Sequence, residues 1–176
     1  IAEEGPIVRL SEMADILTYE IEHIYIEPLL RLEKEGRKKL IPSPRILQIV
    51  QDKGRQKKFY ADHSIPTSPF RLVETRDEWK AVVKEFGWEK FVAKARTQGY
   101  DGRGVQIVET KEMLKAGKPP MDAPAVLEAF VDCKKEISVI VARDQEGNIK
   151  TFPPVEMEFD PVANLVTMLI CPARIE

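Results

Sequence analysis

Phe91-Val92-Ala93-Lys94-Ala95-Arg96-Thr97-Gln98-Gly99-Tyr100-Asp101-Gly102-Arg103-Gly104-Val105-Gln106-Ile107-Val108 reads as a β-prone run carrying a lysine, a glycine-rich loop, and a second β-prone run. Glycine at Gly99, Gly102 and Gly104 removes Cβ atoms that would keep a ligand from the backbone N–H groups. Successive free N–H groups in such a loop form an anion-binding concavity, and Lys94 and Arg103 add positive charge beside it. The pattern suits a polyphosphate. It also suits an ordinary glycine-rich hairpin with surface charges.

Neither of the two commonest nucleotide motifs is present here. A Walker loop needs G-x-x-x-x-G-K-[ST], and a dinucleotide fingerprint needs G-x-G-x-x-G between a strand and a helix. Here the order is G-x-x-G-x-G, and Val105, Ile107 and Val108 continue as strand. A glycine loop between two strands is a hairpin flap. Protein kinases cover ATP phosphates with such a flap, their lysine lying on a neighbouring strand; here the lysine precedes the loop.

The rest of the composition narrows the class. The chain has 176 residues, enough for about one domain with a real core. A net charge of −2 provides no global field toward nucleic acid or membrane, and no aromatic-basic stripe points to nucleic acid. No apolar run reaches the ~18 residues of a membrane span. Cys133 and Cys171 lack metal-type spacing, which favours a reducing cytoplasm and two small core residues over a disulfide framework. His23 and His63 stand alone. The sequence starts at Ile1 without methionine, read as processing or as a piece of something longer.

Taken in order, Asp15–Glu20 reads as a strand, Ile26–Glu35 as a helix stopped by Gly36, and Lys39–Pro42 as a second strand. Strand, helix and strand within ~30 residues make a parallel βαβ unit. Two parallel strands alone cannot cover both faces of a sheet, so residues 1–42 are expected to be the tail of a larger α/β domain. Ser43 and Pro44 open a helix as cap and first-turn proline. Asp52 caps another, Lys53 to about Asp62. Phe70–Val73 reads as a strand. Thr75 and Glu78 form a capping box, and Trp79, Val82, Val83 and Phe86 line one helix face that Gly87 ends. Thr110 caps a short helix to about Ala116. Strands follow at Ala125–Val131, Glu136–Ala142, Ile149–Phe152, Val155–Phe159 and Leu165–Ile170, and their short turns imply an antiparallel sheet.

Glu128 and Glu136 interrupt apolar runs. Both suit a solvated sheet face. Both also suit the purine or ribose end of a nucleotide whose phosphates lie under the flap.

At this point the chain resembles the ATP-grasp superfamily, and within it the 5-(carboxyamino)imidazole ribonucleotide synthetases of purine biosynthesis. The resemblance rests on Asp15–His23, Pro42-Ser43-Pro44, Gln51-Asp52-Lys53 with Gln56-Lys57, Lys94 with Arg96-Thr97 and Gly99–Gly104, and Lys135–Arg143. Pro153–Glu156 and Cys171-Pro172-Ala173 also fit. The tyrosine-aspartate pair inside the loop, Tyr100-Asp101, separates this family from most other ATP-grasp enzymes.

The resemblance implies an α+β ATP-grasp fold preceded by the tail of a Rossmann-like parallel α/β domain. Residues 1–42 would end that domain and residues 43–176 would form the nucleotide-binding region. Within it, a small flap-bearing subdomain would run from about 65 to 131, and a larger antiparallel sheet would begin at about 132. It implies that ATP phosphorylates bicarbonate to carboxyphosphate, whose carboxylate passes to the amine of 5-aminoimidazole ribonucleotide. Lys94 would hold the α/β-phosphates with help from Lys53, and the flap Gly99, Tyr100, Asp101, Gly102, Arg103, Gly104 and Val105 would close over the triphosphate. Exclusion of water there protects carboxyphosphate. Glu128, Ala129, Phe130 and Val131 would line the adenine slot, and Glu136 would accept from the ribose hydroxyls. Tyr100, Glu20 and Glu22 are the implied contacts to the imidazole ribonucleotide; Glu20 and Glu22 also read as strand-end surface carboxylates.

The full-length protein is expected to be a cytoplasmic homodimer without nucleic-acid or membrane partners. Its Mg2+ ligands are expected after Glu176 and its first glycine-rich turn before Ile1, so the 176 residues alone are expected not to turn over. Three residues depart from the family pattern. Gln98 replaces a glycine at the start of the flap, Lys53 replaces the arginine of some members, and Phe159 replaces a nucleotide-contacting histidine. Two other classes remain open. One is another ATP-grasp ligase, of glycinamide ribonucleotide or biotin-carboxylase type. The other is a non-catalytic ATP-binding module.

Overall fold

The structure, a computed structural model, describes residues 3–36, 39–97, 99, 104–121, 124–160 and 165–175. The chain divides into two compact units. The first comprises Ile1–Gly99 with Gly104–Ala129; the second comprises Tyr100–Arg103 with Phe130–Glu176.

The first unit opens with helix α1, Glu4–Met13, which the sequence reading does not include. Pro6 lies in its first turn, where a missing N–H breaks no helical bond. Strand β1 (Ile16–Leu17), helix α2 (Glu27–Lys34) and strand β2 (Lys39–Leu40) follow. The two strands pair in parallel, Ile16 beside Lys39 and Leu17 beside Leu40, as the βαβ reading expects. Both are shorter than the sequence suggests. Ile7, Leu17, Leu29 and Leu32 bury together, so α1 and α2 supply most of what little cover the two strands have.

Helix α3 (Pro44–Val50) begins on Ser43, whose hydroxyl accepts from the Arg45 N–H. Helix α4 (Lys53–Asp62) begins on Asp52, whose carboxylate accepts from the N–H groups of Gly54 and Arg55. Both caps are where the sequence places them. Strand β3 is Phe70–Val73, and helix α5 is Trp79–Phe86, ended by Gly87 at φ 61°.

The start of α5 corrects the capping-box expectation. The Thr75 side chain does not cap the helix; the Glu78 carboxylate accepts from the Glu74 N–H at 2.9 Å and also from Thr75. The Glu78 N–H donates to the Thr75 carbonyl at 3.3 Å, so residues 75–78 form a turn and the helix begins after it.

Strands β4 (Lys90–Ala95) and β5 (Val105–Glu109) form the expected antiparallel hairpin. Helix α6 (Thr110–Ala116) and strand β6 (Ala125–Ala129) complete a four-stranded antiparallel sheet ordered β3-β6-β4-β5. One face is apolar. Val73, Phe91, Ala93, Val108, Ala125 and Leu127 pack there against Trp79 and Val83 of α5 and Met113 of α6.

The second unit holds strands β7 (Glu136–Ser138), β8 (Val141–Arg143), β9 (Ile149–Thr151), β10 (Val155–Phe159) and β11 (Val166–Ile170). All its pairings are antiparallel, but they form two sheets, β11-β10-β7 and β8-β9. The single strand read over Glu136–Ala142 is therefore two. Ser138 pairs with Val155, whereas Val141 pairs with Thr151. Pro153 and Pro154 fall between those partners and have no N–H to donate; the Ile140 carbonyl still accepts from the Phe152 N–H at 2.9 Å, so the ladder breaks at Val139. Cys133 and Cys171 are both exposed, which corrects the expectation of core cysteines. They lie outside regular structure, after β6 and after β11.

Glu156 anchors this unit. It is 5% exposed and accepts from Arg174 Nη2 at 2.8 Å and Lys135 Nζ at 3.0 Å. The Arg174 hydrogen bonds, followed by that of Lys135, lower its pKa to about 2. A carboxylate held below its ordinary value of 4.5 stabilises the fold fully above that value and loses its contribution as pH falls through the folded value. Glu156→Gln is thus expected to flatten the acid side of the stability profile between pH 4.5 and about 2. Denaturant melts of both proteins across that window test this; parallel profiles would rule it out.

Candidate functional site

The alternation of β4 places its lysine. Phe91 and Ala93 are fully buried on the apolar face, so Val92 and Lys94 point to the other. On β6, Glu128 stands opposite Val92, and Val126 stands opposite Lys94. Lys94 and Glu128 are therefore diagonal neighbours on one face, within reach of long side chains. Lys94 Nζ lies 3.1 Å from Glu128 Oε1.

Helix α4 brings a second cation. Lys57 Nζ lies 3.1 Å from Glu128 Oε2 and donates to Thr67 Oγ1 at 2.6 Å and Ser68 Oγ at 3.2 Å. Ser68 donates in turn to Glu128 Oε2 at 2.9 Å. Burial by itself would raise the Glu128 pKa, but the charge and hydrogen bond of Lys94, with Lys57 and Ser68, hold it below the ordinary carboxylate value. The solvated-face reading of Glu128 is thereby overturned. The carboxylate is buried and ionised between two ammonium groups.

A second network ties α4 to the base of the glycine loop. Arg96 Nε and Nη2 donate to Asp52 Oδ1 and Oδ2 at 2.9 and 2.6 Å. Its Nη1 donates to both oxygens of Glu74 at 2.7 and 2.8 Å. Burial would raise the Asp52 pKa, yet the Arg96 hydrogen bond and the helix N–H groups lower it. Next to this cap, the Lys53 N–H donates to the Arg96 carbonyl at 2.9 Å, and Lys53 Nζ donates to the Gly99 carbonyl at 3.1 Å. Where the hairpin re-forms, Ala95 N–H donates to Gly104 O at 2.8 Å. Gly104 has φ 72°, and a Cβ there would meet the Ala95 Cβ at 3.2 Å, so this closing position needs glycine.

Gly54 makes the Arg96 latch possible. A Cβ at that position would lie 2.6 Å from Arg96 Nε and 3.0 Å from Cζ. The guanidinium is pinned by two carboxylates and has little room to yield. Gly54→Ala is therefore expected to cost roughly 1–3 kcal/mol by overpacking, outweighing the helix-propensity gain of up to about 1. A thermal melt checks it; a rise in Tm would show that Arg96 moves aside freely.

The other expected site residues fall as follows. Val105 begins β5 opposite Lys94. Ala129 ends β6, its N–H donating to Pro69 O at 2.9 Å. Phe130 and Val131 lie in irregular chain of the second unit, and Glu136 is exposed on β7. Glu20 and Glu22 are exposed in irregular chain rather than at a strand end. Gln51 Nε2 donates to the Glu22 and Ile24 carbonyls at 2.7 and 2.8 Å. Tyr100, Asp101, Gly102 and Arg103 lie outside the described residues, as does Gln98. Among the described residues, no group of three His, Cys, Asp or Glu side chains could hold a metal ion, and no helix is long and apolar enough to cross a membrane.

Sequence reasoning gave no role to Lys57, Glu74 or Arg96. One signal was available for Lys57. It lies four residues after Lys53, on the same side of α4, so the helix that presents one lysine presents the other.

A parallel βαβ start, a lysine strand leading into a glycine hairpin, and a lysine–glutamate–lysine cluster on that strand's face together suit an anion-binding site. An ATP-grasp domain model matches residues 58–175, and the chain belongs to the ATP-grasp family. It is 34% identical over 173 residues to phosphoribosylaminoimidazole carboxylase of Candida albicans, covering 96% of this chain and 30% of that protein. The N5-carboxyaminoimidazole ribonucleotide synthetase of Thermotoga maritima superposes with a TM-score of 0.81 at 35% identity, over 99% of this chain and 43% of that one. The carboxyaminoimidazole ribonucleotide synthase of Aspergillus clavatus, solved with ATP, gives a TM-score of 0.81 at 28% identity, over 98% of this chain and 44% of that one. The chain thus spans less than half the length of these relatives.

Proposed function

We propose that these residues form the ATP-binding part of a 5-(carboxyamino)imidazole ribonucleotide synthetase. The observation that carries this is the Lys94–Glu128–Lys57 cluster at the foot of the glycine hairpin, in a chain similar to synthetases of that name. In the proposed reaction a bicarbonate oxygen attacks the γ-phosphorus of ATP and ADP leaves. The amine of 5-aminoimidazole ribonucleotide then attacks the carbon of carboxyphosphate, phosphate leaves, and the nitrogen loses a proton to give the carbamate.

The protein's part in such a transfer is positioning and charge neutralisation. Lys94, its ammonium held by Glu128, meets the α/β-phosphates. Lys53, fixed at both its N–H and its Nζ, supports the loop base and adds charge. The flap from Gly99 to Val105 covers the triphosphate. Glu128 to Val131 line the adenine slot, the side chain of Glu128 serving Lys94 and the backbone reading the base. Glu136 as ribose contact, and Tyr100, Glu20 and Glu22 as ribonucleotide contacts, rest on the family resemblance alone. So do the boundary at about 131 and the assembly of the full-length protein as a cytoplasmic homodimer, whereas the boundary at about 42 rests also on the βαβ pattern. Mg2+ would accompany ATP, but the described residues do not offer it a ligand set.

The test is phosphate release from Mg-ATP by a full-length protein carrying these residues, with and without 5-aminoimidazole ribonucleotide and bicarbonate. Release that requires the ribonucleotide is expected. Release indifferent to it would point to another ATP-grasp ligase, and ATP binding without release would point to a binding module.

A further inference from the structure

Lys57 is a buried lysine, 8% exposed, and every contact of its ammonium faces inward. It meets Glu128, Thr67 and Ser68, and it stands 5.8 Å from the centroid of the Phe70 ring. Its donors are occupied, so it has none left to offer a ligand. Lys94 differs, because 30% of its side chain remains exposed.

The charge balance of the cluster explains why a second lysine is useful. Glu128 is a buried carboxylate beside the lysine proposed to meet phosphate. Alone with Lys94 it would form a neutral pair, and a neutral pair attracts an anion weakly. A buried charge with an incomplete set of partners is also costly. Lys57 occupies the second carboxylate oxygen, so two positive charges share one negative. Ser68 completes the shell by accepting from Lys57 and donating to Glu128. The surplus positive charge is then presented where the cluster meets solvent, at Lys94.

We propose that Lys57 is a positioning residue for the anion-binding lysine: it fixes and neutralises Glu128 so that Lys94 keeps a net positive charge for a nucleotide polyphosphate. This rests on the reading of Lys94 as an ATP ligand. A purely packing role for Lys57 would be filled by methionine, which has a similar length and no charge.

The experiment is calorimetric binding of ATP and of adenosine to a full-length protein carrying these residues. The proteins compared are wild type, Lys57→Met, Lys57→Arg and Lys94→Met. Lys57→Met is expected to weaken ATP about tenfold while leaving adenosine within about twofold, because only the polyphosphate senses the lost charge. Lys57→Arg keeps the charge and is expected to bind ATP within about threefold of wild type.

Unchanged ATP binding in Lys57→Met overturns the proposal. So does equal weakening of ATP and adenosine, or a Lys57→Arg variant no better than Lys57→Met. Should Lys57→Met fail to fold, Lys57→Gln, which removes the charge and keeps a hydrogen-bonding end, decides on the same readout: weakened ATP with unchanged adenosine supports the proposal, and unchanged ATP binding overturns it. A wild type without ATP affinity, or a Lys94→Met variant that binds like wild type, sinks the ATP reading itself. Loss in Lys94→Met with no change in Lys57→Met sinks only the role of Lys57.

Discussion

Lys94→Met in a full-length protein carrying these residues is expected to lower ribonucleotide-dependent phosphate release by on the order of 10²–10³, the usual effect of removing one preorganised electrostatic group. Methionine keeps most of the stem and removes the charge. Glu128 would still have Lys57 at 3.1 Å and Ser68 at 2.9 Å, so its carboxylate would not be stranded. The strand would keep its ladder, because Lys94 pairs with Val126 and Val105 through its backbone. The expected signature is therefore lost turnover with a melting temperature close to wild type. Steady-state phosphate release beside a thermal melt measures both. Release at the wild-type rate would remove Lys94 from the site. A large fall in Tm would make its role structural.

Phe91→Ala is expected to have the opposite signature. Phe91 is fully buried and packs with Trp79, Val83, Met113 and Leu127 under the sheet. Truncation removes most of a large apolar side chain and leaves a cavity that its neighbours fill only in part, at a cost of about 3–5 kcal/mol. That is a large share of the 5–15 kcal/mol typical of a folded protein. The residue also sits three positions before Lys94, on the face that anchors the strand. Activity should fall with the folded fraction, and ATP affinity of the remaining folded protein should fall less. Denaturant titration gives the stability change. By contrast Ile107, 62% exposed on the neighbouring strand, should tolerate alanine within about 0.5 kcal/mol. Comparable losses at the two positions would contradict the assigned faces of the sheet.

The acid dependence expected through Glu156 and the clash with the Arg96 guanidinium expected at Gly54 draw on a different kind of information from either of these. Strand alternation alone does not distinguish Glu156 from Glu158, which lies two residues along the same strand, and helix propensity marks Gly54 as no more than a weak helix residue. Glu156 matters because Arg174 and Lys135 converge on it from distant positions. Gly54 matters because Arg96, in a strand exit far along the chain, lies over it. Lys57 is the same case. Its spacing from Lys53 placed it on a known side of a helix, but its partner, Glu128, is remote in sequence.

Local chemistry was legible from the sequence alone. Ser43 and Asp52 start helices because their side-chain oxygens accept from free N–H groups, and Pro44 because its ring presets φ where no N–H is needed, without help from the rest of the fold. Gly87 ends a helix because it adopts a left-handed conformation at little cost. The β4–β5 hairpin followed from two apolar runs around a glycine loop, and with the matching stretches it was enough to indicate the ATP-grasp family. Tertiary structure alone decided which charges meet and where strands change partners. Glu128 became a buried ionised carboxylate because α4 and β4 each bring a lysine to it, and the strand read over Glu136–Ala142 divided because two prolines fell opposite its middle. The physical reason is the range of the interactions. Caps and turns are settled within a few residues, whereas ion pairs and strand ladders join segments whose separation is set only by the folded chain.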